Sequence, residues 1–148
     1  MICVIQRVSS SKVSVDDMVV GEIAIGFNIL LAVVKGDTPE DADKLVNKLA
    51  FLRVFSDENS KMNLSVQDVK GSALIISQFT LGGSINKGRR PSFDQAEEPI
   101  QAKILYELFC DKLSEYIPVE TGVFAANMQV DICNDGPVTF IINSKDLK

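Results

Sequence analysis

Ser77-Gln78-Phe79-Thr80 closes an apolar run, Ala73-Leu74-Ile75-Ile76, and leads into Leu81-Gly82-Gly83. Hydroxyl and amide side chains where a buried strand opens into a glycine loop combine rigid support with access. Backbone N–H groups around Gln78, Phe79 and Thr80 could there meet negative charge developing on a carbonyl oxygen. Thr80 is the obvious side-chain nucleophile, but its hydroxyl needs a base. The chain contains no histidine, which removes Ser-His-Asp and Cys-His mechanisms and the His-bearing zinc sites. Thr80 therefore reads as a positioning residue ahead of a nucleophile. An enzyme without histidine would work with carboxylates, backbone dipoles or groups brought by its substrate. The simpler reading of the same residues is a strand end whose hydroxyls satisfy backbone groups.

A second stretch, Asn134-Asp135-Gly136-Pro137-Val138-Thr139, lies between residues 128–133 and 138–143, which both read as strands. Asn and Asp tolerate left-handed geometry, Gly has no Cβ to clash, and Pro137 brings no N–H where a sheet would want one. The local reading is a hairpin turn joining the two strands. An X-Pro bond is also the usual place for a cis peptide, and a cis Gly136-Pro137 unit would point two carbonyls the same way.

Together these two stretches resemble the two signature motifs of the D-aminoacyl-tRNA deacylases, formerly called D-tyrosyl-tRNA deacylases. The resemblance extends to Ile5-Gln6-Arg7-Val8, Phe55-Ser56-Asp57, Lys61-Met62-Asn63-Leu64, Arg90-Pro91-Ser92-Phe93, and Thr121-Gly122 with Phe124, Ala125 and Met128. No motif position departs from the pattern, and only the polar tail, residues 144–148, looks particular to this chain. The resemblance implies a hydrolase acting on the ester between an amino acid and the 3′-terminal adenosine of a tRNA, clearing D-amino acids and wrongly attached glycine. It implies a homodimer in which Gly136-Pro137 of one subunit enters the active site of the other and rejects L-amino acids by clash. Arg7 would hold that unit in orientation and Phe124 would line the adenine pocket. Catalysis would rest on main-chain groups at Ser77, Gln78, Phe79 and Thr80 and on the substrate's own 2′-hydroxyl, with no metal and no cofactor. Outside this family the residues leave open an RNA-end or small-molecule binding module, or a threonine-nucleophile esterase or peptidase unrelated to tRNA.

Charge narrows the kind of contact with RNA. The chain has 148 residues, a net charge of −5 and a pI near 4.7. A protein that grips long RNA through its phosphates is expected to be basic, so any contact here should be small, such as one terminus held in a pocket. Lys87, Arg89 and Arg90 are the local exception. They could meet phosphates or could be a solvated loop run. There is no apolar run long enough to span a membrane, and Met1-Ile2-Cys3-Val4-Ile5-Gln6-Arg7 reads as a first strand, not a signal peptide; a cytoplasmic location is expected. Cys3, Cys110 and Cys133 form no metal knuckle or redox pair, and each is expected to be a small core residue.

The elements that must position these residues suggest one α+β domain over residues 1–148, a mainly antiparallel, curved or barrel-like sheet with two principal helices. Residues 1–15 alternate as strand, interrupted at Ser9-Ser10-Ser11. Asp16-Asp17 turns the chain into a hairpin with residues 18–23. Asn28-Ile29-Leu30-Leu31-Ala32-Val33-Val34 reads as a strand buried on both faces. Thr38-Pro39 starts a helix whose core face is Ala42, Leu45, Val46, Leu49 and Leu52. Short strands follow at 53–55 and 61–64, then a central strand at 73–79 and a polar loop at 82–93. Pro99 opens the second helix, with Ile104, Leu105, Leu108, Phe109, Leu113 and Tyr116 as its expected core face. Residues 121–124 read as a connection.

Overall fold

Asp16 and Asp17 both adopt positive φ, 49° and 62°, the requirement of the two-residue hairpin turn that matches strand twist. They join β1 (Ile2–Val15) to β2 (Met18–Ile23), pairing Val15 with Met18. In this computed structural model, which describes all of residues 1–148, β1 is the organising strand. Its first half pairs antiparallel with β3 (Gly26–Ala32), and along nearly its whole length it pairs with β8 (Gln129–Asn143). Ser9-Ser10-Ser11 does not interrupt it. The register shifts there, and the buried Ser11 hydroxyl bonds the Asp131 carbonyl at 2.9 Å, so a serine run that looks like a break is absorbed as a bulge.

α1 (Pro39–Phe51) begins as its sequence suggests. Asp41 accepts from the Thr38 N–H at 2.9 Å and from its hydroxyl at 3.2 Å, and Pro39 sits in the first turn. Its buried face is Ala42, Leu45, Val46 and Leu49, while Leu52 caps the end half-buried. The small pair β4 (Phe55–Ser56) and β5 (Met62–Leu64) follows. The chain then returns as β6 (Ser72–Ser77), parallel to β3. α2 (Pro99–Ser114) carries it back again to β7 (Val119–Thr121), parallel to β6. The sheet is therefore mixed and not mainly antiparallel. Each helix forms a crossover that brings the chain back to the same end of the sheet, which is how parallel neighbours must be connected. β7 was not expected as a strand, and its last residue, Thr121, opens the stretch 121–124 that reads as a connection; three residues reading Val-Glu-Thr carry no periodic signal.

The sheet order β2-β1-β3-β6-β7 curls until β7 nearly meets β2. A Cβ on Gly21 would stand 2.7 Å from the Thr121 carbonyl oxygen, so glycine allows that approach. The larger core lies between the sheet and both helices, from Met1 and Phe27 to Phe109 and Leu113. A smaller core of Val8, Val13, Ile23, Leu74 and Ile76 fills the inside of the curl. The buried face of α2 is Ala102, Leu105, Tyr106, Phe109, Cys110 and Leu113. Ile104 and Tyr116, expected inside, are 54% and 38% exposed. The apolar residues of α2 run nearly all round it, so the sequence does not single out the face that docks.

Two further expectations change. Residues 128–133 and 138–143 do not form a hairpin: they are one strand, β8, and both halves pair with β1. Cys133 is exposed and only Cys3 and Cys110 are buried, because alternation along β8 turns Ile132 toward the small core and Cys133 away. The polar tail is also tied down. Ser144, fully buried, bonds Asp41 at 2.8 Å and accepts from the Met1 ammonium at 2.6 Å, and Lys145 reaches Asp41 at 2.7 Å. Burial alone would raise the Asp41 carboxyl; bonds from Lys145, Ser144 and Thr38 outweigh it and hold the group well below the usual carboxylate range.

Candidate active site

β6 ends at Ser77, opposite Leu31 of β3. The Gln78 N–H continues that ladder, donating to the Leu31 carbonyl at 2.8 Å. The backbone then tightens into a 3₁₀ turn, Phe79–Gly82, in which the Leu81 N–H bonds the Gln78 carbonyl. The leading N–H groups of such a turn have no partner inside it. Of the three amides considered from sequence, that of Gln78 is engaged in the sheet, and those of Phe79 and Thr80 are left as candidate donors. The Gln78 side-chain amide donates to Thr80 Oγ1. Thr80 is thus oriented by an amide, with no basic side chain on its hydroxyl.

A cavity of about 420 Å³ opens beside this strand end. Ser77, Gln78 and Phe79 form one side, Pro99 and Ala102 of α2 another, and Phe124, Met128 and Val130 a third. Its size and mainly apolar lining suit a small flat organic group. Glu97 is the one charged residue on its wall. Phe124 is braced by Tyr106, ring centroids 5.7 Å apart, and the Tyr106 hydroxyl donates to the Ile75 carbonyl at 2.8 Å. Burial pushes the Tyr106 phenol far above its ordinary range, so it remains a donor. Tyr106, Glu97 and Met128 were not identified as site residues from sequence. Helical spacing marks Tyr106 only as apolar, and nothing local places Glu97 beside Phe79.

The other motif lies elsewhere in the chain. Opposite β1, Gln6 pairs with Thr139 and Val8 with Asn134, so residues 135–138 bulge out against Arg7 alone. The turn residues make an outward loop within one strand. The Gly136-Pro137 peptide is cis, and Gly136 has φ of 130°. Arg7 is 8% exposed; its Nε donates to the Asp135 carbonyl at 3.0 Å and its Nη1 to the Val54 carbonyl at 2.6 Å. Its Nε also stands 3.4 Å from the Asp135 carboxylate. Within one chain the structure brings together Ser77, Gln78, Phe79 and Phe124, and separately Arg7 and the Asp135-Gly136 turn. Gly136 and Pro137 are not among the residues lining the cavity.

The sequence and the fold have close counterparts. The chain matches the family model described as D-Tyr-tRNA(Tyr) deacylase over residues 4–143. It is 71% identical over 147 residues to the D-aminoacyl-tRNA deacylase of Persephonella marina, covering 99% of this chain and 100% of that one. It is 56% identical over 148 residues to that of Aquifex aeolicus, again covering 99% and 100%. Among solved structures, one described as c-Myc DNA Unwinding Element Binding Protein superposes with a TM-score of 0.91 at 38% identity, covering 97% and 98% of the two chains. A probable eukaryotic D-amino acid tRNA deacylase shares the fold at a TM-score of 0.82 and 19% identity, covering 96% and 98%. The chain belongs to the D-Tyr-tRNA(Tyr) deacylase family.

Proposed function

We propose that this protein hydrolyses the ester of D-aminoacyl-tRNA, and of glycine wrongly attached to tRNA, in the cytoplasm, releasing free amino acid and tRNA. The observation that carries the reading is the cavity lined by Ser77, Gln78 and Phe79 at the end of β6, where the 3₁₀ turn bearing Thr80 begins, in a chain 71% identical to a named D-aminoacyl-tRNA deacylase. The terminal adenine enters the cavity against Phe124, which sets the ester carbonyl at the end of β6. Water adds to that carbonyl, the N–H groups of Phe79 and Thr80 receive the oxyanion, the C–O bond breaks, and the 3′ oxygen leaves with a proton. One such donor is typically worth ~10²–10³ in rate. The neighbouring 2′-hydroxyl of the substrate assists, and Gln78 and Ser77 hold the strand end in place.

The site is completed by a second copy of the chain. Supporting this, Gly136 and Pro137 lie outside the single-chain cavity, β8 has only β1 as a sheet neighbour, and its Phe140 and Ile141 are 42% and 76% exposed. The partner's Asp135-Gly136-Pro137 loop, braced by its own Arg7, walls the space an L side chain would need. Selection is by exclusion, so glycine passes and the D side chain need not be read.

Purified protein assayed on D-tyrosyl-, L-tyrosyl- and glycyl-tRNA should hydrolyse the first and third and spare the second. Equal hydrolysis of both tyrosyl esters would overturn the chiral reading. Thr80→Ala should retain substantial activity and form no acyl-enzyme; loss to background with normal binding would make Thr80 the nucleophile.

A further inference from the structure

The basic loop after the 3₁₀ turn is not used by the chemistry above. Ser84 and Ser92 exchange backbone hydrogen bonds at 2.8 and 2.9 Å, closing residues 84–92 into a small outward loop. Lys87, Arg89 and Arg90 stand exposed on it, and none of the three takes part in an ion pair. In a chain of net charge −5, three unpaired cations in four residues form a local positive field with no internal purpose. The loop is fastened to the active site at its base. The Gly83 N–H donates to the Thr80 carbonyl at 2.9 Å, and Phe93 meets Phe79 edge to face with centroids 5.0 Å apart.

Beneath the loop lies a second hollow of about 410 Å³, lined by Ser84, Asn86, Lys87 and Ser92 and by no hydrophobic residue. Its one carboxylate, Asp94, accepts the Ser92 hydroxyl at 2.6 Å. The two hollows are consecutive along the backbone. Phe79 lines the apolar one and Gly82 the polar one, at opposite ends of one 3₁₀ turn, a step of about 6 Å at a rise of ~2.0 Å per residue. An apolar slot followed at that distance by a polar hollow walled by Lys87, with Arg89 and Arg90 exposed on the same loop, matches a single strand: a base, then the phosphodiesters that precede it.

We propose that Lys87, Arg89 and Arg90, with the polar hollow that Lys87 lines, bind the backbone phosphates of the nucleotides immediately before the terminal adenosine in the single-stranded 3′ end of tRNA. The inference rests on the deacylase reading for its substrate but concerns a different surface. The loop supplies affinity and sets the direction in which the strand enters, and it takes no part in bond breaking.

The test is the triple variant K87Q/R89Q/R90Q, assayed beside the unaltered protein. Two esters are used, D-tyrosyl-tRNA and the minimal 3′-O-(D-tyrosyl)adenosine, which has no phosphate. In a separate arm, binding of uncharged tRNA is measured from 50 to 200 mM salt. The variant should show a KM for charged tRNA raised about tenfold or more with kcat unchanged, and unaltered hydrolysis of the minimal ester. Its log-affinity-against-log-salt slope should fall by about 2, three contacts at ~0.7 each. An unchanged KM and slope would overturn the proposal. So would equal loss on both esters, which would mean the loop only supports the turn. If the unaltered protein cleaves neither ester, the deacylase reading fails. The binding arm then still decides: weaker, less salt-dependent tRNA binding by the variant upholds the loop as a phosphate site, and equal binding removes it.

Discussion

Replacing Arg7 by Met tests the link between the β1 strand and the Asp135-Gly136 turn. The guanidinium donates to two carbonyls, Val54 at 2.6 Å and Asp135 at 3.0 Å, while itself 8% exposed. Met keeps most of the side-chain volume and provides neither donor. The Val54 carbonyl belongs to a residue 5% exposed, so its oxygen loses a charged partner in a place water reaches poorly, at roughly 1.5–3 kcal/mol. Asp135 is largely exposed, and water can replace the second bond for about 0.5–1 kcal/mol. The sum is about 2–4 kcal/mol. For a domain of this size each kcal/mol moves Tm by about 2–4 °C, so the expected fall is roughly 5–15 °C, read by circular dichroism. Arg7→Lys keeps the charge but offers a compact ammonium in place of a fork; it should recover part of the stability and little of the bracing. On the proposed function, both variants should lose D-tyrosyl-tRNA hydrolysis at temperatures where they remain folded. An Arg7→Met protein that melts within 2 °C of the unaltered one and cleaves D-tyrosyl-tRNA normally would refute the reasoning.

Gly136→Ala should also cost stability and activity. The added Cβ would sit 2.9 Å from Val138 Cγ2, 3.0 Å from the Val138 nitrogen and 3.2 Å from Arg7 Nη2, at a φ of 130°; a melting point and hydrolysis rate equal to the unaltered protein's would show that the turn accommodates a side chain. Cys3 and Cys110 are buried, which pushes both thiols up to about 12, so Ellman's reagent should titrate no more than one thiol, Cys133, in the native protein and all three after unfolding. Two fast thiols in the native state would contradict that burial. Asp41, held low by its partners, binds fewer protons folded than unfolded in mild acid; its stabilisation is complete above the ordinary carboxylate range near ~4 and is lost as pH falls below it. The stability gap between the unaltered protein and Asp41→Asn, from urea midpoints, should therefore shrink between about pH 5 and pH 2, and a constant gap would discount the Asp41 network.

Local chemistry was enough for several elements. Asp16-Asp17 could turn only by accepting positive φ, Thr38-Pro39-Glu40-Asp41 contains its own helix start, and the apolar run from Asn28 to Val34 has no stable place except inside a sheet. The Ser77-Gln78-Phe79-Thr80 motif likewise fell where its composition put it, at the end of a buried strand. What the sequence alone could not settle were choices between partners far apart along the chain. Asn134-Asp135-Gly136-Pro137 is as good for a hairpin as for a bulge; the outcome depends on whether the flanking strands pair with each other or both lie along β1, and Arg7, 128 positions away from Asp135, is part of that decision. The parallel pairing of β3, β6 and β7 was hidden for the same reason, since it follows from where α1 and α2 dock. So were the outward face of Cys133 and the burial of Tyr106 in place of Ile104. Turns and caps are fixed by a few neighbouring torsions and hydrogen bonds, whereas strand partners, helix faces and the walls of a cavity are selected by the burial of surface from the whole chain at once.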